Sequence, residues 1–299
     1  MNDPILYILG NGFDLAHHLP TSYEDFHKWL VANREIHFVR AFERLYPEVR
    51  NNEGRWCDIE SALSKLTLED AVIFDKEYQE CSDEIRHENS SHDAYICGDK
   101  LRQVIDVLPS CLHDWVYSIN VTNCHKQYEI IKDAYFLSFN YTRTLEDVYD
   151  INPNMIYHVH GVVNSGKEFV FGYGEDSFEE NECMINEIER NRDLIVKILR
   201  NNKKPVSTIL KYPRYQELLK AISEVSSVIV YGQSCSDIDK PYFKSIADCV
   251  RHDAQWVFYV YDKEKNASIE KCAKSIVVKE QTFEITNVSP IKESLTKAI

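Results

Sequence analysis

Five apolar residues in a row, Ile5-Leu-Tyr-Ile-Leu9, run straight into Gly10-Asn11-Gly12 and then into a helical pattern. A short unbroken apolar run of this kind reads as a strand buried on both faces, the kind that parallel sheets are made of. Further strand-like runs follow at 134–139, 155–160, 168–171, 227–231, 255–261 and 275–278. Helical patterns lie near 144–149, 183–200, 206–225, 240–250 and 264–273. Strands alternating with helices predict an α/β fold, with a parallel sheet covered by helices on both faces.

The stretch between the first and second strands is too long for a simple crossover. Helical spacing runs from Ser22 to about Leu45, resumes on Ile59, Leu63 and Leu66, and continues over about 69–88 and 99–131. The sequence therefore predicts a core made of residues 1–20 and 132–299, with a helical insertion or lid over 21–131.

Charge and cysteine usage narrow the function classes. The formal net charge is −14, and no block of Lys or Arg offsets it, which argues against nucleic-acid or anionic-membrane partners. A small anion held by backbone N–H groups remains compatible with that charge. The opening residues lack a basic segment followed by a long apolar one, so the reading is cytoplasmic. The nine cysteines form no C-x-x-C pair, so they read as reduced thiols, and no metal site is expected.

The residues that could carry chemistry stand where strands end. Gly10-Asn11-Gly12-Phe13-Asp14 sits between a strand and a helix, the place where open α/β sheets bind phosphates. A tight turn with Asp14 as a helix cap explains the same residues equally well. Asn140 and Thr142 follow the second strand: Asn140 has an amide to orient a ribose or water, and Thr142 is placed to cap the next helix. An Asx turn plus a cap is the plainer alternative.

Strand alternation puts His158 and His160 on one face, next to Gly161. They read as a general base, as metal ligands without a third partner, or as a hydrogen-bonded pair at the sheet edge. Gly232 and Ser234 follow the strand-like run 227–231, with Asp237 or Asp239 capping the next helix. Ser236 stands where a G-x-S-x-G nucleophile elbow would need its second glycine, which disfavours a hydrolase triad. Asp58 reads as a cap, while roles for Glu60 and Tyr173 stay open.

In order, ILGNGFDLAHHLPTSYEDF, WCDIESAL, FLSFNYTRTLEDVY, HVHG, FGYG and YGQSCSDIDKPYF resemble the AbiH family of bacterial phage abortive-infection proteins, from about residue 5 to about residue 245. That pattern is similar in turn to sirtuin-like NAD-binding proteins, which implies a Rossmann-like sheet. Gly10, Gly12 and Pro20 match that family's glycine-rich start, and the resemblance implies that the glycines lie against the NAD phosphates, with Asn11 between them as a cofactor-binding residue, and that Gly232 and Ser234 hold the adenosine half. It further implies that Asn140 faces the nicotinamide ribose and that His160 acts as base toward it.

Asp14 and Thr142 stand where sirtuins carry a serine and an aspartate, in the pocket where charge develops. The zinc-binding cysteine pairs and the acetyl-lysine segment are missing, so deacetylation is not expected. The implied function is a phage-defence effector that binds NAD or a related nucleotide and cleaves the nicotinamide–ribose bond. The alternative is a non-catalytic nucleotide or ADP-ribose sensor that signals through the helical insertion. A nucleotide ligand, a phage-derived trigger and self-association are the partners this reading entails.

Overall fold

Leu6 and Ile8 point to one face of their strand and Ile5, Tyr7 and Leu9 to the other, and all five are buried. A strand with apolar side chains on both faces is stable only between two layers, and that requirement organises the sheet around it. The structure is a computed structural model. It describes residues 3–34, 36–67, 69–71, 73–74, 99–174, 196–197, 200, 203–278 and 280–287.

The strands are β1 (Ile5–Leu9), β2 (Tyr135–Ser138), β3 (Ile156–His158), β4 (Ser227–Tyr231), β5 (Gln255–Val260) and β6 (Thr282–Asn287). They form one sheet in the order β3-β2-β1-β4-β5-β6, with every pairing parallel. This is a doubly wound order. The chain builds outward from β1 through β2 to β3, then returns to the other side of β1 as β4. The reversal places the carboxyl ends of β1 and β4 at the switch point.

One face of the sheet packs Leu6, Ile8, Leu137, Tyr157, Val228, Val230, Trp256 and Phe258 against the helices Pro213–Ala221, Lys240–Ala247 and Asn266–Ile276. The opposite face carries Tyr7, Phe136, Ile156, Tyr231 and Tyr259, which meet Phe13 of the helix Asn11–Ala16 and Leu145 of Thr144–Asp147.

The chain divides into two compact units. One contains 1–21, 116–170 and 205–299, and therefore the whole sheet; the other contains 22–115 and 171–204. Residues 116–131 fall with the sheet and 171–204 with the second unit, whereas the sequence reading had placed 116–131 in the insertion and 171–204 in the core. The second unit holds the helices Tyr23–Asn33, Ile36–Leu45, Ile59–Lys65 and Asp99–Ile105. Its interior is aromatic, with Phe26 on Trp115 at 4.9 Å and Phe42 on Trp56 at 5.0 Å between ring centroids. Trp56 is tied down through its indole N–H, which donates to Glu43 at 3.0 Å. Asp58 caps its helix as expected, accepting from the Ser61 amide at 2.9 Å.

Several element boundaries differ from the sequence reading. The helix expected over 22–45 breaks at Arg34, whose backbone is extended. Helix in 99–131 stops at Ser118; the amides of Gln127 and Tyr128 donate instead to the Tyr149 hydroxyl. Residues 168–171 form no strand; the Val170 amide donates to the His160 carbonyl at 2.8 Å, and the Tyr141 hydroxyl donates to the Val170 carbonyl at 3.0 Å. The apolar run 275–278 ends a helix, and the last strand is β6. Most of the helices expected over 69–88 and 183–200 lies outside the described residues. Among the described residues no helix is long and apolar enough to cross a membrane.

Candidate functional site

At the switch point the glycines bring two loops into direct backbone contact. The Gly10 amide donates to the Tyr231 carbonyl at 3.0 Å, and the Gly12 amide to the Gly232 carbonyl at 2.9 Å. A Cβ built on Gly12 would lie 2.5 Å from the Gly232 Cα, and one on Gly232 would lie 2.5 Å from the Phe13 nitrogen. Gly10 would meet the Gly232 oxygen at 2.6 Å, and Gly232 also has φ +66. The space vacated by the missing side chains is therefore filled by the protein's own main chain. Two amides that an anion would need are already engaged, since Gly12 donates to Gly232 and Phe13 to the Gly10 carbonyl at 2.9 Å.

Asp14 does not cap the helix; Gly10 occupies the cap position. Its carboxylate turns inward and is 1% exposed. The Thr142 hydroxyl donates to Oδ2 at 2.6 Å and the Thr144 hydroxyl to Oδ1 at 2.7 Å, with the Asn140 side chain as a third hydrogen-bond partner. Burial dominates and pushes the Asp14 carboxyl up to about 6, against these bonds and the nearby His158. Thr142 likewise does not cap; the helix Thr144–Asp147 has Arg143 at that position with no side-chain bond.

The same polar cluster continues through His158. Its Nδ1 is 3.2 Å from the Asn140 carbonyl oxygen and its Nε2 is 3.3 Å from Glu146 Oε1. The ring is thus held between two oxygens, one main-chain and one carboxylate. Burial would raise the Glu146 carboxyl, but the His158 hydrogen bond and charge, with Arg143 beyond, hold it below its ordinary value. Arg143 approaches Glu146 at 3.7 Å.

His160 belongs to a different set of contacts. β3 ends at His158, so strand alternation no longer applies at His160. His160 Nε2 lies 3.9 Å from Asp239 Oδ1, with both side chains under 10% exposed. Its ring stands edge-on to Phe139 at 5.4 Å and beside Tyr141 at 6.0 Å. Asp239 sits at the cap position of the helix Lys240–Ala247 but makes no cap bond. Its Oδ2 accepts from Gln233 Nε2 at 3.3 Å and from the Ser236 hydroxyl at 3.1 Å. A buried carboxylate fixed from behind and facing an imidazole orients that ring.

The structure thus joins Asp14, Asn140 and Thr142 in one network and Gly10, Gly12 and Gly232 in another. His160 pairs with Asp239, a residue whose position before a helix had argued only for capping. Thr144 and Glu146 were also missed, because a threonine and a glutamate at a helix start look like ordinary first-turn residues. Asn11, the first residue of its helix, and Ser234 are exposed: Asn11 Nδ2 donates to the Thr21 carbonyl at 2.8 Å, and the Ser234 amide to Gln233 Oε1 at 2.7 Å.

In the second unit, Glu60 pairs at 2.6 Å with Lys204, which is fully buried, and Tyr173 is buried with its hydroxyl pushed up to about 12 by that burial. Among the described residues no group of three or more His, Cys, Asp and Glu is placed to hold a metal ion.

A protein-family model described as bacteriophage abortive infection AbiH matches residues 6–260. No curated protein and no solved structure matches.

Proposed function

The chain belongs to the AbiH family of bacteriophage abortive-infection proteins, and from that premise we propose that it handles NAD or a related nucleotide at the carboxyl edge of its sheet and cleaves the nicotinamide–ribose bond. The observation that carries this reading is the buried His160–Asp239 pair beside the switch point. In the reaction, nicotinamide leaves with the electron pair of the glycosidic bond, and a water attacks the oxocarbenium-like ribose. His160 takes the proton that the water gives up, and Asp239 stabilises the imidazolium that results. Asn140, its amide held by Asp14, would turn its oxygen toward a ribose hydroxyl. Because the Gly12 and Phe13 amides are engaged, the pyrophosphate would lie over the exposed Asn11 and Ser234 rather than between the glycines.

The test is nicotinamide release from NAD by the purified protein, alone and with extract of phage-infected cells to supply a trigger. His160→Ala is expected to lower the rate by about 100-fold or more, and Asp239→Asn to lower it less. No release in either condition would refute the catalytic reading.

A nucleotide sensor that hydrolyses nothing is a second reading, and one observation favours it: Asp14, Asn140, Thr142 and Thr144 already satisfy one another. Calorimetry with NAD and ADP-ribose separates the two. Binding with the ligand recovered intact, and unchanged by His160→Ala, would identify the sensor.

A further inference from the structure

His17 ends the helix Asn11–Ala16, the one that carries Gly12 and Phe13, and it is 3% exposed. Its hydrogen bonds fix its tautomer. Nδ1 lies 2.7 Å from the Phe13 carbonyl oxygen, which can only accept, so Nδ1 carries a proton. Nε2 lies 2.7 Å from the Tyr149 hydroxyl. That oxygen already accepts the amides of Gln127 at 3.1 Å and Tyr128 at 3.2 Å, which leaves its own proton to point at Nε2. Nε2 is therefore an acceptor and the ring is neutral. Burial acts in the same direction: with His18 alongside, it holds the imidazole below its ordinary value, against the pull of the Phe13 carbonyl.

The two amides belong to a strap, residues 119–131, that contains no helix or strand element and leads into β2. Side chains tie it down. The Ile131 amide donates to the Tyr7 hydroxyl at 3.2 Å, the Cys124 thiol donates to the His17 carbonyl at 3.6 Å, and the Tyr128 and Tyr231 hydroxyls bond each other. The His17 ring stands edge-on to Tyr149 at 5.4 Å and to Tyr128 at 5.9 Å between centroids.

We propose that His17 is an acid-operated latch for this strap: protonation of Nε2 breaks its bond with Tyr149 and releases the amides of Gln127 and Tyr128. An Nε2–H would face the Tyr149 O–H, donor against donor. The hydroxyl oxygen can accept from it only by giving up one of the two amides, which leaves a donor of the strap unpaired. The titratable groups around the ring offer no relief. Asp14, a turn earlier, has its carboxylate bound by Thr142 and Thr144. His18 adjoins the ring in sequence, and the strap brings Cys124, Tyr128 and Lys126, whose ammonium is 5.8 Å from the centroid of the Tyr149 ring. Lys126, and His18 once protonated, oppose a positive charge here.

The latch contributes stability in full above about pH 6.5, the value of an unfolded histidine, and loses it as pH falls through the lower folded value. Asp14 works the other way, since the fold prefers its protonated form, so it does not account for a loss in acid. The latch does not depend on the nucleotide reading.

The experiment is hydrogen–deuterium exchange of the full-length protein at about pH 7.5 and about pH 5, read by mass spectrometry and corrected for the intrinsic pH dependence of exchange. Peptides covering 119–131 are expected to lose protection by about tenfold or more at the lower pH, while peptides covering β1 and β4 keep theirs. His17→Gln retains an acceptor for the Tyr149 hydroxyl that does not titrate, and is expected to keep the strap protected at both values. The proposal is overturned if wild-type protection of the strap is unchanged, if the sheet loses protection in the same measure, or if the strap of His17→Gln opens in acid as the wild type does. An imidazole nitrogen NMR spectrum of the wild type tests the starting state without any variant: a doubly protonated His17 at about pH 7.5 would also overturn it.

Discussion

At the residue scale, the glycines show how one residue type supports two different arguments. A missing side chain makes room, but the sequence cannot say for what, and here the room is taken by another loop. Gly12→Ala must push apart two backbones that meet within van der Waals contact, so it is expected to destabilise the protein by about 1–3 kcal/mol, as overpacking does. Urea unfolding would show this as a lower midpoint; an unchanged midpoint would mean that the contact yields freely.

Asp14 makes a second prediction at this scale. Its folded value of about 6 lies above the ordinary 3.8, so its protonated form is the one the fold prefers. That contribution is complete below the unfolded value and is lost as pH rises through the folded one. Asp14→Asn should therefore gain stability relative to wild type between about pH 4 and pH 7, by up to roughly 3 kcal/mol. Unfolding midpoints at the two ends of that window measure it, and a constant difference would contradict it.

At the scale of elements, agreement with the sequence followed burial. The strands β1, β4 and β5 sit inside the sheet, carry unbroken apolar runs, and stand within a residue or so of where the pattern placed them. β6 escaped because it is an edge strand: Thr282–Asn287 alternates polar and apolar residues and is half exposed, while the more apolar 275–278 finishes a helix. The helix Tyr23–Asn33 begins with a reciprocal cap, in which the Ser22 hydroxyl accepts from the Asp25 amide at 3.1 Å and the Asp25 carboxylate accepts from the Ser22 amide at 3.2 Å. Ser22→Ala removes one half of that exchange and is expected to cost about 0.5–2 kcal/mol, measurable as a shifted thermal or urea midpoint. The candidate site was legible only as a set of strand ends. Its working partners, Asp239, Glu146 and Thr144, each occupy a helix start, where local chemistry already supplies a sufficient reason for such a residue.

At the scale of the whole molecule, the net charge of −14 leads to one more expected outcome. Fluorescence anisotropy with duplex DNA at low salt should show no binding, because an acidic protein repels the phosphate backbone and gains nothing from counterion release. Measurable, salt-sensitive binding would point to a basic surface that the sequence does not display.

The local pattern of side chains determined the class of this fold: buried apolar runs have to become interior strands, and intervening helical periodicity has to cover them. The same pattern put the polar motifs at strand ends. Only the tertiary structure decided which strand ends are neighbours, because the order β3-β2-β1-β4-β5-β6 depends on where each crossover returns, and no local run of residues encodes that. It also decided that Gly12 faces Gly232, that Asp14 faces two threonines, and that His160 faces Asp239. The physical reason is the same in each case. Burial, close approach and charge pairing are properties of two segments at once, and those segments lie tens to hundreds of residues apart along the chain.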